Sequence, residues 1–476
     1  MKFTVMSHAG LHVEHNGCSV VMDPWLVGSC YWRSWWNFPE VAVDPASLTP
    51  DYIYLTHIHW DHFHGPSLKK FSRKTVILIP WDRYDRMKRD LNAMGFGNVK
   101  EIPDGIPYRL AEDLYLTPYL FGIFTDSTAV LSSRLLTLLN ANDCKILGQP
   151  LKRLLQDHPK IDFAFRSHST ANARLCHEYL DAPNEKLDDR ERYMSSFCHF
   201  MKAVQPAYAV PFASNHCHLH KDTFRFNEWI VSPIDVKNYY DKYRLSHHLA
   251  TELKIMLPGS RWDEERGFDL VDPAPFFDDR PNRIKDYRER RSNTLAAYYA
   301  KEKAMRVTTK EMEKFFLPLL EQLNWLLRLP FRGKPVYLKS NGPDGGRSWK
   351  VDLWRKTVAE CDETEFANGK MQLLFPPIVL LWSLKLNMFS HAGISKRARY
   401  KADRRHMKFL ILFELYLKLR EYDYLPLRSL LSSRSLACWV RRWRELLVFG
   451  RVLYLRFVKK RSMVDIEQLL LAVRQG

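Results

Sequence analysis

The stretch Thr56-His57-Ile58-His59-Trp60-Asp61-His62 decides how this chain is read. It follows a β-run at residues 52–55. His57 and His59 stand two apart, so in extended backbone their imidazoles share a face and can reach one metal ion. Asp61 and His62 come where the chain turns toward a helix. A turn there aims a carboxylate and an imidazole at a second ion. Two ions a few ångströms apart can hold a bridging hydroxide, a strong nucleophile at neutral pH. Histidine makes up 18 of the 476 residues. Three of them with an Asp, in this order and directly after a β-run, exceed what that frequency produces by chance. His64 falls outside the pattern and is expected to be exposed or to support a ligand.

Working outward, the first half reads as short β-runs separated by turns and helices. Residues 2–7 and 12–14 flank a turn at Gly10. The Asn16-Gly17 dipeptide is a hairpin signal before the run at 19–22. Further β-runs are expected at 75–79, 114–117, 128–131, 134–139, 163–165 and 208–210. Helices are expected near 81–94, 148–156 and 190–204. Strands alternating with helices predict an α/β layered domain. A boundary is expected at 273–281, where prolines and acids interrupt the pattern. Beyond it, 282–324 reads as helical. Runs at 334–339 and 348–354 read as two strands joined by Gly342-Pro343-Asp344-Gly345-Gly346. From Pro377 onward the pattern is helical, basic and aromatic.

The metal-ligand segment resembles the HxHxDH signature of the metallo-β-lactamase superfamily. Ser7-His8-Ala9-Gly10 through Asp23-Pro24-Trp25-Leu26 is similar to the opening hairpin and Asp-Pro loop of that fold. Within the superfamily, the similarity is to the branch holding ascorbate-phosphate lactonase, N-acyl phosphatidylethanolamine phospholipase D and CMP-N-acetylneuraminate hydroxylase. Asn142-Asp143-Cys144, Val210-Pro211-Phe212-Ala213 and Leu257-Pro258-Gly259-Ser260-Arg261-Trp262 followed by Gly267-Phe268 carry the same likeness. It covers roughly residues 1–270. It implies an αββα sandwich in which His57 and His59 bind one metal and Asp61 and His62 the other. Asp143 is then the bridging carboxylate.

Two positions depart from the superfamily pattern. No histidine lies between His64 and Asp143, where the superfamily usually has one; His168 is a candidate substitute. The place of the last histidine reads Pro211-Phe212-Ala213, and three histidines follow it, at 216, 218 and 220. Alternation puts all three on one face of an extended strand. His218 ranks first and His216 second as the residue that closes the site. The hydroxylase branch also carries a Rieske domain, whose cluster needs two closely spaced Cys–His pairs. Cys176-His177, Cys198-His199 and Cys217-His218 do not form such a loop, so a Rieske domain is not expected here.

Composition is globular, at 46% hydrophobic and 26% charged residues, and the length calls for two or more domains. We assign residues 1–272 to a metallo-β-lactamase-like metal-binding domain. Residues 282–476 form an α+β, mainly helical basic region. Of the formal net charge of +18, a local excess of +14 lies between His391 and Arg461, from 19 Lys/Arg against 5 Asp/Glu. Ser395-Lys396-Arg397-Ala398-Arg399 and Arg441-Arg442-Trp443-Arg444-Glu445 interleave cations with aromatics. An acidic membrane surface or an anionic substrate fits this region, whereas no nucleic-acid module is recognisable. The eight cysteines form no CxxC pair, and reduced thiols are expected. No signal peptide is visible, and the longest apolar stretch, 371–384, is too short to span a bilayer. A cytoplasmic protein, peripheral at the membrane through its basic region, is the expectation.

The function expected first is a metal-dependent hydrolase of an anionic ester, lactone or phosphodiester, the substrate being a small molecule or a lipid. It would use one or two divalent ions, zinc ahead of iron or manganese, and a metal-bound hydroxide, with Asp61 orienting the nucleophile. The first alternative is an iron-dependent oxygenase of a sugar or nucleotide-sugar, fed electrons by a partner. The second is a non-enzymatic structural or lipid-surface protein with a degenerate site. Arg261 and Trp262 are further candidates for substrate contact.

Overall fold

Alternating burial along the first strands turns one face of each toward a common core. Phe3 and Val5 are buried in the strand Lys2–Val5, and Leu11 and Val13 in Leu11–His15. The computed structural model describes residues 1–41, 43–169, 173–183, 185, 190–341 and 346–473. The first sheet runs in the order Gly267–Asp269, Arg261–Asp263, Lys2–Val5, Leu11–His15, Cys18–Met22, Tyr52–Tyr54, Val76–Pro80, Val99–Ile102. The second runs Glu252–Leu253, Tyr208–Phe212, Phe163–Ser167, Thr137–Asn142, Asp126–Ser132, Leu114–Phe121, Tyr108–Ala111. Phe3, Val13, Val20 and Tyr54 of the first meet Leu116, Leu131, Phe163 and Phe212 of the second in a continuous apolar layer.

Helices cover the outer faces. Gly148–Asp157, Arg190–Val204 and Pro233–Ser246 pack on the second sheet through Leu151, Leu154, Phe197, Met201 and Val236. Arg86–Ala93 packs on the first through Met87 and Leu91. The result is the αββα sandwich of the metallo-β-lactamase fold. That helix starts five residues later than the sequence reading placed it, because Trp81–Asp85 form an extended and turning link after the strand ends at Pro80.

The C-terminal half builds its own sheet, in the order His177–Tyr179, Arg399–Ala402, Met371–Phe375, Val336–Ser340, Arg347–Asp352, Thr357–Cys361. Helices Thr309–Gln322, Pro377–Leu386 and Met407–Glu421 pack on it in one core with Phe316, Trp349 and Phe413. Of the turn read at 342–346, residues 342–345 lie outside the described residues. One edge strand of this sheet, His177–Tyr179, comes from the first half of the chain and pairs parallel with Arg399–Ala402. The halves are thus interleaved. Buried ions tie them further: Arg397 reaches the carbonyl of Trp32 at 3.2 Å and Asp222 at 2.9 Å. Helix Trp443–Leu453 lies back on Gly148–Asp157. Gly148 sits there at φ +61°, and a side-chain carbon would meet Val448 at 2.7 Å, so close approach and backbone both require glycine.

Candidate metal centre

The parallel strand Tyr52–Tyr54 ends at the carboxyl edge of the first sheet, and the chain then loops through residues 55–64 to the short helix Gly65–Leu68. This loop carries the histidines. Asp23 leaves the neighbouring strand at φ +43° and acts as its anchor. Its carboxylate accepts hydrogen bonds from Thr56 N at 2.8 Å, Thr56 Oγ1 at 2.7 Å and Asn142 Nδ2 at 2.5 Å. It also pairs with His62 Nδ1 at 2.9 Å. That contact fixes the proton on Nδ1 and points Nε2 into the site.

Nε2 of His62 then faces Asp61 Oδ2 and Asp143 Oδ2, each at 3.4 Å. His8 Nε2 approaches the same Asp61 oxygen at 3.2 Å. The other oxygen of Asp61 accepts the buried hydroxyl of Tyr31. Nε2 of His57 and Nδ1 of His59 face each other at 2.9 Å. Three overlapping donor sets result: His8, Asp61 and His62; His57, His59 and Asp126; His57, His62 and Asp143, with the donor atoms of each set within 4.8 Å of one another.

Electrostatics match this arrangement. Burial holds His57 well below the ordinary imidazole range, reinforced by His62 and His59. Burial and the facing His391 bring His59 down to about 4. Both imidazoles therefore offer free lone pairs at neutral pH. Burial works against charge on His62 too, but the carboxylates of Asp61 and Asp23 raise it well above the usual value. His62 is thus the cation that these carboxylates hold. Burial and the neighbouring Asp143 push Asp126 up to about 7.

A divalent cation fits these residues. Buried imidazole nitrogens that make no well-formed hydrogen bond lie here: Nε2 of His8 and of His62 face carboxylate oxygens only at 3.2 and 3.4 Å, and Nε2 of His216 and His391 lie nearby without a partner. Unpartnered buried polar atoms are costly. A cation that accepts the lone pairs of His8 and His62, displacing the proton of His62, removes that cost at those two residues.

Of the residues read from sequence, His57, His59, Asp61, His62 and Asp143 are brought together. His216 borders them, stacked flat on Trp35 at 3.7 Å and 5.5 Å from the ring of His8. His218, ranked first there as the closing ligand, lies outside all three donor sets. Its Nδ1 instead meets Ser34 Oγ at 3.0 Å. The extended stretch pairs with Trp35–Asn37, where His216 stacks flat on Trp35 and His218 meets the same ring edge-on at 6.0 Å. His168 is buried beside His8, which together with burial lowers it to about 3. His64 is buried rather than exposed, bonded to Ser67 Oγ at 2.8 Å. Trp262 stacks on Phe3 between the sheets, and Arg261 is exposed on the strand next to the sheet's edge. Neither lines the site cavity.

Four contributors were missed. His8 stood in the opening hairpin motif but was read only as fold signature. Asp126 begins a strand, and Tyr31 sits in an aromatic loop, with no local signal for either. His391 arrives from the short helix Ser390–Ile394, over three hundred residues from His59, with its ring 5.5 Å from that of His59.

The cluster opens into a cavity of about 280 Å³ between the two halves. His59, Asp61, Asp126 and Asp143 form one end. Lys145, Arg166 and Lys418 bring cations to its wall, and Phe124, Tyr193, Phe389 and Tyr422 bring aromatic surface.

If Asp23 positions His62, Asp23→Asn is expected to weaken metal affinity about ten- to a hundredfold while leaving the fold intact. Competition against a chromophoric chelator measures this.

No family model matches the chain. A protein of Mycolicibacterium smegmatis that carries a Rieske 2Fe-2S iron-sulfur protein name is 26% identical over 387 residues, spanning 76% of this chain and 73% of that protein. Cytidine monophosphate-N-acetylneuraminic acid hydroxylase of Xenopus laevis is 27% identical over 152 residues, 30% of this chain and 26% of that protein. Among solved structures, isothiocyanate hydrolase from Delia radicum gut bacteria aligns over 55% of this chain and 99% of its own at 16% identity, with a TM-score of 0.40.

Proposed function

We propose that this protein is a metal-dependent enzyme that hydrolyses an anionic ester, lactone or phosphodiester in the cavity between its halves. The observation that carries the reading is the cavity itself. A His/Asp cluster fit for a divalent ion forms one end, and Lys145, Arg166 and Lys418 stand in the remaining wall among aromatic and serine side chains and one acid, Glu414. His57, His59, Asp61, His62 and Asp143 would hold the ion or ions, with His8 and Asp126 beside them. A divalent ion bound there supplies a Lewis acid and a water acidified toward neutrality.

The chain's own residues do the remainder. Lys145, Arg166 and Lys418 attract and orient the substrate's anionic group. Arg166 is held in place by the carbonyl of Cys144 at 3.4 Å and by the face of Phe200 at 4.0 Å. Tyr31 fixes the carboxylate of Asp61 through one oxygen. That leaves Asp61 less free to accept a hydrogen bond from a nucleophile than the sequence reading supposed. Asp126, beside His57 and His59, is the better placed group to hold a proton. The aromatic wall limits water.

Expected kinetics follow from these roles. Lys145→Ala and Lys418→Ala should each raise KM about tenfold or more with little change in kcat, since both contact the substrate equally in ground and transition states. A fall in kcat with KM unchanged would contradict the assignment.

A second reading, oxygenation of a sugar or nucleotide-sugar with iron at the same residues, is favoured by the relatives. One carries a Rieske name and another is a nucleotide-sugar hydroxylase. Electrons would then come from a separate donor protein. Zinc-loaded and iron-loaded protein, each offered lactones, phosphodiesters and nucleotide-sugars, separate the two. Product release by the zinc form without oxygen supports hydrolysis. Substrate-dependent oxygen uptake by the iron form with a reductant, and inert zinc protein, would replace it with the second reading.

A further inference from the structure

Helices Ser433–Arg441 and Trp443–Leu453, continued by the π-helical turn Tyr454–Val458, run along the outside of the first domain. Their inner face is clear: Cys438, Arg442, Glu445 and Val448 are buried. Their outer face is not polar, as a solvated helix would require. Leu436, Val440, Trp443, Leu447, Tyr454 and Phe457 recur at helical spacing there. Val440 is 72% exposed and Phe457 73%. Isolated exposed apolar residues are ordinary, but a contiguous stripe of large ones marks a docking surface.

Charge identifies what docks. Residues 427–461 hold ten Lys/Arg and a single acid, Glu445. Glu445 is buried against Arg442 at 2.6 Å and offsets nothing on the outer face. Arg441, Arg451, Arg456 and the run Lys459-Lys460-Arg461 are exposed around the stripe. A second copy would set like charges opposite one another. Nucleic acid would leave the apolar stripe unused. A bilayer interface bearing anionic lipid meets both features, with Leu, Val and Phe entering the acyl boundary, Trp443 and Tyr454 at headgroup depth, and cations at the phosphates. Among the described residues no helix is long and apolar enough to cross a membrane, so the contact is with the surface.

We propose that the outer face of residues 433–461 is a docking surface for an anionic lipid bilayer. It stands independently of the reaction assigned to the metal centre. The test is co-sedimentation of the full chain with vesicles of phosphatidylcholine alone and of phosphatidylcholine mixed with phosphatidylglycerol, at low and high salt. Binding is expected to the mixed vesicles only, and to weaken with salt. Two variants, V440E/L447E/F457E and R441Q/R451Q/R456Q, should each bind about tenfold less or weaker still, with melting temperature and metal content unchanged. No binding, equal binding to neutral vesicles, or full binding by either folded variant would overturn the proposal. A wild-type dimer in analytical ultracentrifugation that V440E/L447E/F457E converts to monomer, without vesicle binding, would assign the face to a second copy instead.

Discussion

The Arg442→Ala variant is expected to lose about 3–5 kcal/mol of folding stability, the usual result of stripping one partner from a buried ion cluster. Arg442 is 3% exposed. It pairs with Glu445 at 2.6 Å and Asp82 at 3.2 Å and donates to the carbonyl of Gly122 at 2.8 Å. Without it, two carboxylates are left in a low-dielectric pocket where burial already raises Glu445. Glu445→Gln added to Arg442→Ala should recover part of the loss, because it removes one of the stranded charges. Denaturant midpoints of the two variants and the wild type check this. A loss under about 1 kcal/mol for Arg442→Ala, typical of a surface pair, would show that the C-terminal helices are not anchored to the first domain as described.

The second large effect concerns the metal centre. Protein loaded with a divalent ion at about a thousand times its dissociation constant should gain about 4 kcal/mol of stability over chelator-treated protein. The gain arises because the donor residues are assembled only in the folded state. Asp61→Ala should abolish most of it. Asp61 touches His8 and His62 through one oxygen and Tyr31 through the other, so its loss opens one donor set and frees the Tyr31 hydroxyl. Thermal melts of both proteins with and without metal give the comparison. An equal metal-induced shift in Asp61→Ala and wild type would place the ion elsewhere.

What could be read from the sequence was local. The His57–His62 order, the Asn16-Gly17 hairpin and the alternation in the early strands sit within a few residues of one another, and backbone periodicity makes them visible. Asp143 was legible because it follows a strand and carries a family signature. What escaped depends on distant contacts. The strand His177–Tyr179 is three residues long and its partner, Arg399–Ala402, lies far along the chain. His391 and Asp126 carry no local pattern that marks them: the packing of the two sheets brings Asp126 to His59, and the packing of the two halves brings His391 there. Alternation put His216 and His218 on one face and could not see that Ser34 holds the ring of His218. The stretch at 441–445 was read as cations interleaved with aromatics, because sequence periodicity does not say which face of a helix is covered.

The most direct test of the account is the metal content of the purified chain, by elemental mass spectrometry after reconstitution with zinc, iron or manganese, beside a His59→Ala/Asp61→Ala variant. The expected result is one or about two equivalents of metal in the wild type and a small fraction of that in the folded variant, given the three overlapping donor sets. A wild type that holds no metal under any of these conditions, or a variant that holds as much, would contradict the assignment of this cluster as a metal centre.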